Sequence, residues 1–174
     1  MPQPYTIGPL AATHDRSTFA CGVSELDHYL QRQASQDMRR NAARVFLLSN
    51  QESGRVVGYY TLSASSVESA ELPPDSARRL PRYPVLPAAL LGRLAVAARD
   101  QGQHLGQLLL LDACARTWRV SQADLAAVAL LVDAKDEGAS RFYERHGFLP
   151  LTNRPQRLFV PMATIARMVA AAAT

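Results

Sequence analysis

Residues 96–118 read "VAARDQGQHLGQLLLLDACARTW". An apolar run ends at Ala98, a polar stretch carrying Gly102 and Gly106 follows, and a leucine-rich segment begins. That order predicts a strand, a tight turn and a helix starting at Leu105. The first amides of a helix have no intrahelical acceptor and carry partial positive charge. Glycines just before them let a phosphate approach closely, so "QGQHLG" (101–106) is a candidate pyrophosphate cradle. It lacks the G-K-[ST] of a Walker loop and the spacing of the dinucleotide fingerprint. His104 sits between the glycines; its amide is intact, and a helix-start conformation with negative φ is expected of it.

Outward from this stretch the chain alternates strand and helix signals. "YTIGPL" (5–10) reads as a strand and "SELDHYLQRQASQDMRRNAA" (24–43) as a helix, with an S-x-x-D cap from Ser24 and Asp27. "ARVFLLSN" and "RVVGYYTLSASSV" flank the turn "QESG", which predicts an antiparallel hairpin. Residues 71–89 carry Pro73, Pro74, Pro81, Pro84 and Pro87 and read as a long loop. "LLGRLAVAA" (90–98) is expected to be a central strand. Residues 105–119 are expected to form a helix burying Leu105, Leu108, Leu111, Ala115 and Trp118. "LAAVALLVDA" is too apolar for a one-sided strand. "GASRFYERHG" reads as a short helix closed by Gly147, "RLFVPM" as a last strand and "VAAAAT" as an alanine-rich tail. The pattern predicts one α/β domain over residues 1–174, a mixed central sheet flanked by helices.

Composition narrows the class. No run approaches the roughly 18 apolar residues of a membrane span, and "MPQPYTIGPL" lacks the pattern of a signal peptide, so a soluble, cytoplasmic chain is expected. Cys21 and Cys114 have no metal-ligand spacing and read as small buried hydrophobes; four scattered histidines suggest no metal site. Arginine supplies nearly all of the cationic charge behind a net +4, which fits either compositional bias or an anion-binding surface.

Two motifs together carry a resemblance. Gln101, Gly102, Gln103, His104, Leu105 and Gly106, after the strand "RLAVAA", occupy the Q/R-x-x-G-x-G/A pattern, with histidine where glycine is usual. Ala139, Phe142, Tyr143, Gly147 and Phe148 occupy "A-x-x-F-Y-x-x-x-G-F". In this the chain resembles the GNAT N-acetyltransferases. "FACGVSELDHYLQRQA", "VVGYYTLSASSVE", "LPRYPVLPAALLGRLAV" and "LVDAKDEGASRFYERHGFLPL" extend the resemblance to the acetyltransferase toxins of bacterial toxin–antitoxin modules.

The resemblance implies acetyl-CoA as co-substrate, no metal, and acetylation of the α-amino group of aminoacyl-tRNA. It also implies a homodimer and a ribbon-helix-helix antitoxin. The backbone of Leu94, Ala95 and Val96 is expected to hold the pantetheine arm as an added strand, with Phe142 beside the coenzyme. Tyr143 is the expected general acid for the departing thiolate; its alternative is ring packing beside Phe142. Arg78, Arg79, Arg82 and Arg93 are candidate RNA contacts, as are Arg39, Arg40 and Arg44; the alternative is an external ion pair for Arg93 and a solvated charged face for the others.

An α-amine near pKa 8 needs less deprotonation help than lysine at about 10.4. "RLAV" carries no acidic base, and Glu68 and Glu71 are the acids bordering the preceding region. Two rival readings remain: a small-molecule or antibiotic N-acetyltransferase, and a non-catalytic binding module on the same fold.

Overall fold

The computed structural model describes residues 4–174. Its seven strands run in the order β1-β2-β3-β4-β5-β7-β6. The chain divides into two compact units: residues up to Ser63 with Gly92–Ala113, and Ala64–Leu91 with Cys114–Thr174. The divisions fall inside β3 (Val56–Glu68), β4 (Val85–Val96) and α4 (Leu105–Ala123).

In the first unit β1 (Tyr5–Pro9) pairs antiparallel with β2 (Arg44–Asn50), which forms the expected hairpin with β3. Asn50 closes the hairpin turn by accepting from the amides of Glu52 and Ser53, and Gly54 takes the positive φ (71°) that the turn needs. The helical region comprises α1 (Ser24–His28), a π-helical turn (Tyr29–Gln33) and α2 (Ala34–Arg39). A π turn disturbs the regular hydrogen-bond ladder. Here the Leu30 carbonyl accepts from the Arg16 guanidinium at 2.9 Å. Phe19, Tyr29, Leu30, Val45, Leu47 and Tyr59 form the centre of this unit's core.

The second unit pairs β5 (Ala129–Asp133) parallel with β4 over Ala89–Leu91 and antiparallel with β7 (Arg157–Pro161), beside the short β6 (Leu149–Pro150). It also holds α3 (Pro74–Ala77), α5 (Glu137–Arg145) and α6 (Met162–Ala172). Its core gathers Val67, Leu72, Leu86, Leu131, Leu151 and Phe159. The expected mixed sheet is therefore present, with β4–β5 as its parallel pair.

Four local expectations need correction. Val23, not Ser24, is the N-cap residue of α1 and makes no side-chain cap; the Asp27 carboxylate accepts instead from the Cys21 amide at 2.8 Å. Residues 85–89, expected within a loop, open β4: Leu86 and Ala88 are buried while Val85 and Pro87 face out. Pro87 cannot donate, yet its carbonyl accepts from Val128 at 2.8 Å and so continues the pairing. Leu105 is buried on α4 as expected, but beside it lie Leu109, Leu110, Ala113, Cys114 and Thr117, while Leu108, Leu111, Ala115 and Trp118 are only half-buried. Four consecutive leucines (108–111) admit either phase of a helical stripe, which is why spacing misassigned it. Finally, the alanine-rich tail mostly continues α6 to Ala172, a natural outcome for strong helix formers.

Candidate functional site

In the first unit β4 leads through a 3₁₀ turn (Ala98–Asp100) into the exposed stretch Gln101–His104 and then α4. Several contacts fix this passage. The Asp100 carboxylate, nearly buried, accepts two bonds from Arg55 at 2.7 and 2.9 Å. The guanidinium holds Asp100 below the usual carboxylate range against the opposing effect of burial. The Gln101 side-chain amide donates to the carbonyls of Cys21 and Val96, both at 3.0 Å. The amide of Ala98 donates to Ala20, and that of Ala97 to Val57. Gln101 thus braces the loop with its side chain. Arg55 and Asp100, which no motif singled out, anchor it.

His104 overturns its expected conformation. Its φ is +60°, in the left-handed region, and Gly102 has φ +84°. An L-residue in that region costs about 1–2 kcal/mol, and histidine is among the residues that tolerate it. The position therefore has the geometry of glycine, the residue usual there in the resembled pattern. The His104 carbonyl accepts from Leu108 at 3.2 Å and opens the helical ladder. The amides before Leu108 stand at the positive end of a 19-residue helix. Gln103 is exposed and its Oε1 accepts from the Tyr5 hydroxyl at 3.4 Å. Leu105 is buried and Gly106 half-buried.

Leu94 and Val96 are half-buried and Ala95 is buried. Gly58 on β3 makes room for them: a Cβ there would lie 2.8 Å from the Ala95 carbonyl oxygen. Arg93, also half-buried, places its guanidinium carbon 3.5 Å from the centroid of the Tyr29 ring.

In the second unit Tyr143 lies on α5, whose start is capped by Asp136 accepting from the Ala139 amide at 2.8 Å. Gly147, at φ +92°, ends the turn that follows. The Tyr143 ring is buried, 5.2 Å from Phe142 and 5.4 Å from Phe148 between centroids. Its hydroxyl makes no hydrogen bond among the described residues, and burial pushes the phenol well above its ordinary value. A phenol so placed stays protonated at neutral pH, the state a proton donor needs. The packing expected of the alternative reading is also there; the two are compatible.

The arginines of the proline-rich segment are exposed. Arg78 pairs with Asp75. Arg79 lines a largely apolar cavity of about 310 Å³ with Leu80, Phe159, Met162 and Arg167. Arg82 is exposed beside Tyr83, which is itself 64% exposed. In the first unit Arg39 and Arg40 are exposed, and Arg44 bonds to Asn41 and the Met38 carbonyl.

Glu71 is not free to act as a base. Arg154 grips both its oxygens at 2.7 and 3.0 Å and holds its carboxyl below the ordinary range. Glu68 is exposed at the end of β3. Both cysteines are buried, and burial pushes the Cys114 thiol up to about 12. Among the described residues no group of acids, histidines and cysteines gathers to hold a metal, and no helix is long and apolar enough to cross a membrane.

The model of the acetyltransferase (GNAT) domain matches residues 41–150, which include β4, the loop and Tyr143. A probable toxin TacT of Sinorhizobium fredii (strain NBRC 101917 / NGR234) is 31% identical over 90% of both chains. A tRNA-acetylating toxin of Mycobacterium tuberculosis (strain ATCC 25618 / H37Rv) is 37% identical over 85% of this chain and 86% of its own. Among solved structures, AtaT complexed with acetyl-methionyl-tRNAfMet is similar with a TM-score of 0.87 and 33% identity, over 95% of this chain and 99% of that one. A Tyr-to-Phe mutant of AtaT bound to acetyl-CoA and the C-terminus of the antitoxin AtaR matches with a TM-score of 0.82 and 29% identity, covering 96% and 99%. The chain belongs to the GNAT acetyltransferase family.

Proposed function

We propose that this chain is a toxin that transfers acetyl from acetyl-CoA to the α-amino group of aminoacyl-tRNA and so blocks translation. The observation that carries the substrate class is the likeness, over 85% or more of the chain, to a tRNA-acetylating toxin and to AtaT in complex with an acetylated aminoacyl-tRNA. Residues 1–174 act as one catalytic domain in the cytoplasm, as a homodimer neutralised by a ribbon-helix-helix antitoxin. The AtaT–AtaR complex supports an antitoxin partner.

The exposed passage 101–104 and the first amides of α4 suit a pyrophosphate: donors, positive dipole and backbone open to approach. Leu94, Ala95 and Val96 offer backbone groups to the pantetheine arm in the manner of an added strand, and Phe142 supplies an apolar wall. In the reaction the neutral amine nitrogen attacks the thioester carbonyl, the C–S bond breaks, and the nitrogen loses a proton to water. Tyr143 supplies a proton to the departing sulfur, and its elevated pKa keeps that proton available. Solvent can serve as base because an α-amine is substantially neutral near pH 8. The engagement of Glu71 by Arg154 agrees with that economy.

The test is acetylation of total charged tRNA beside free amino acids, polyamines and aminoglycosides, locating the acetyl group. Acetyl on the α-amine of charged tRNA is expected. A small amine as the better substrate, with charged tRNA unmodified, replaces the proposal with a small-molecule enzyme. Coenzyme and RNA binding without any turnover replaces it with a binding module.

A further inference from the structure

We infer that Tyr29 is a positioning residue that holds the Arg93 guanidinium as a seat for a backbone phosphate of the RNA substrate; this rests on the tRNA reading above. Tyr29 opens the π-helical turn, an irregularity often found at functional sites. Its ring is 2% exposed and lies stacked near that of Tyr59, 6.3 Å between centroids and 15° apart in plane. Its hydroxyl donates to Asp37 Oδ2 at 2.8 Å. The ring is thus fixed from one side and from its tip.

Arg93 lies over the ring, its guanidinium carbon 3.5 Å from the centroid. Stacking uses the face of a guanidinium and leaves its in-plane N–H groups for a forked anion contact. Among the described residues Arg93 has no carboxylate partner, while Asp37 accepts from the Tyr29 hydroxyl. A half-buried cation without an acid is costly to maintain, and an incoming anion would neutralise it. By contrast Arg55, Arg154 and Arg157 each have a bidentate carboxylate. The anion is a phosphate, and two sources carry one: RNA and the coenzyme. The proposed anion is the RNA phosphate.

The experiment compares wild type, R93Q, R93K, Y29F and Y29L by steady-state kinetics on charged tRNA, calorimetry with acetyl-CoA, and a salt series. R93Q is expected to raise KM for charged tRNA about ten- to a hundredfold, as loss of a charged hydrogen bond does. It should also flatten the slope of log affinity against log salt by about 0.7–0.9, one phosphate's worth. R93K should fail to restore the parental KM, because lysine lacks the planar fork. Y29L should raise KM by about two- to thirtyfold, with kcat retained, through loss of the stacked cation. Y29F keeps the ring but loses the bond to Asp37, and should raise KM less than Y29L does. If Y29L does not fold, R93Q, R93K and Y29F still decide.

Unchanged KM and salt slope in R93Q, on an enzyme that acetylates charged tRNA, overturn the inference and leave the tRNA reading standing. Weakened acetyl-CoA affinity with an unchanged salt slope for RNA assigns the charge to the coenzyme and overturns it as well. A wild-type enzyme that leaves charged tRNA untouched refutes the tRNA reading itself, and the inference with it.

Discussion

Replacing His104 by glycine should stabilise the chain. The imidazole is exposed and makes no hydrogen bond or ion pair among the described residues, so its removal sacrifices no contact. What it relieves is the left-handed backbone at φ +60°, worth about 1–2 kcal/mol for an L-residue. Against that stands the greater freedom of glycine in the unfolded chain, about 0.5–1 kcal/mol. The net gain is about 0–1.5 kcal/mol, centred near 0.75, which for a chain of this size raises Tm by up to about 6 °C. His104→Val should do the reverse, because a β-branched residue is a true outlier at positive φ. A loss of about 1–2 kcal/mol would lower Tm by about 2–8 °C. Thermal unfolding of both variants, with and without acetyl-CoA, reads the sign directly. In His104→Gly the loop amides persist, so coenzyme affinity should stay within about twofold, whereas His104→Val should weaken it by shifting the loop. A glycine variant that melts lower than wild type, or a valine variant that melts with it, refutes the left-handed assignment and the reasoning built on it.

Tyr143→Phe should lower kcat by about 10²- to 10⁴-fold while leaving Tm unchanged, since the hydroxyl makes no hydrogen bond among the described residues; parental turnover would leave Tyr143 a packing residue. Gly58→Ala should cost about 1–3 kcal/mol and raise KM for acetyl-CoA, because the new Cβ would lie 2.8 Å from the Ala95 carbonyl oxygen; denaturant unfolding and coenzyme titration check both. Glutamate at Arg78, Arg79 and Arg82 together should weaken RNA acetylation more than acetyl-CoA binding; equal losses in both would argue for misfolding. Asp100, Glu71 and Asp133 all have folded pKa values depressed by arginine partners. Their contribution is full above the unfolded carboxylate pKa of about 4 and is lost as pH falls through the folded values. Tm should therefore drop on acidification below about pH 4, less steeply in Asp100→Asn, and a parallel decline in that variant would contradict the assignment.

The fold was legible where one physical pattern had one solution. The hairpin around "QESG" follows from a turn between two apolar runs, and the strand Ala129–Asp133 from the run "LAAVALLVDA", too apolar to be one-sided. It was illegible where the pattern was degenerate. The leucines at 108–111 fit two helical phases, and the prolines of 71–89 concealed that Val85–Ala88 alternate as a strand should. Proline argues against a strand only where its missing donor is needed, and Pro87 contributes its acceptor instead.

The site divides along the same line. Motif spacing singled out residues 101–106 and Tyr143 as candidates because each group lies within one short motif, and the match to residues 41–150 spans both motifs. What supports the loop comes from elsewhere: Arg55 reaches Asp100 across 45 positions, and Gln101 reaches Cys21 across 80. No spacing rule announces such pairs. The histidine at 104 shows the converse limit. Its residue type argued for an ordinary conformation, while the surrounding contacts at Asp100, Gln101 and Leu108 over-determine the chain path and impose a glycine-like one. The candidate loop 101–106 thus depends on geometry that its neighbours enforce, so substitutions at Arg55 or Asp100 should disturb the proposed acetyl-CoA binding there without touching the loop's own sequence.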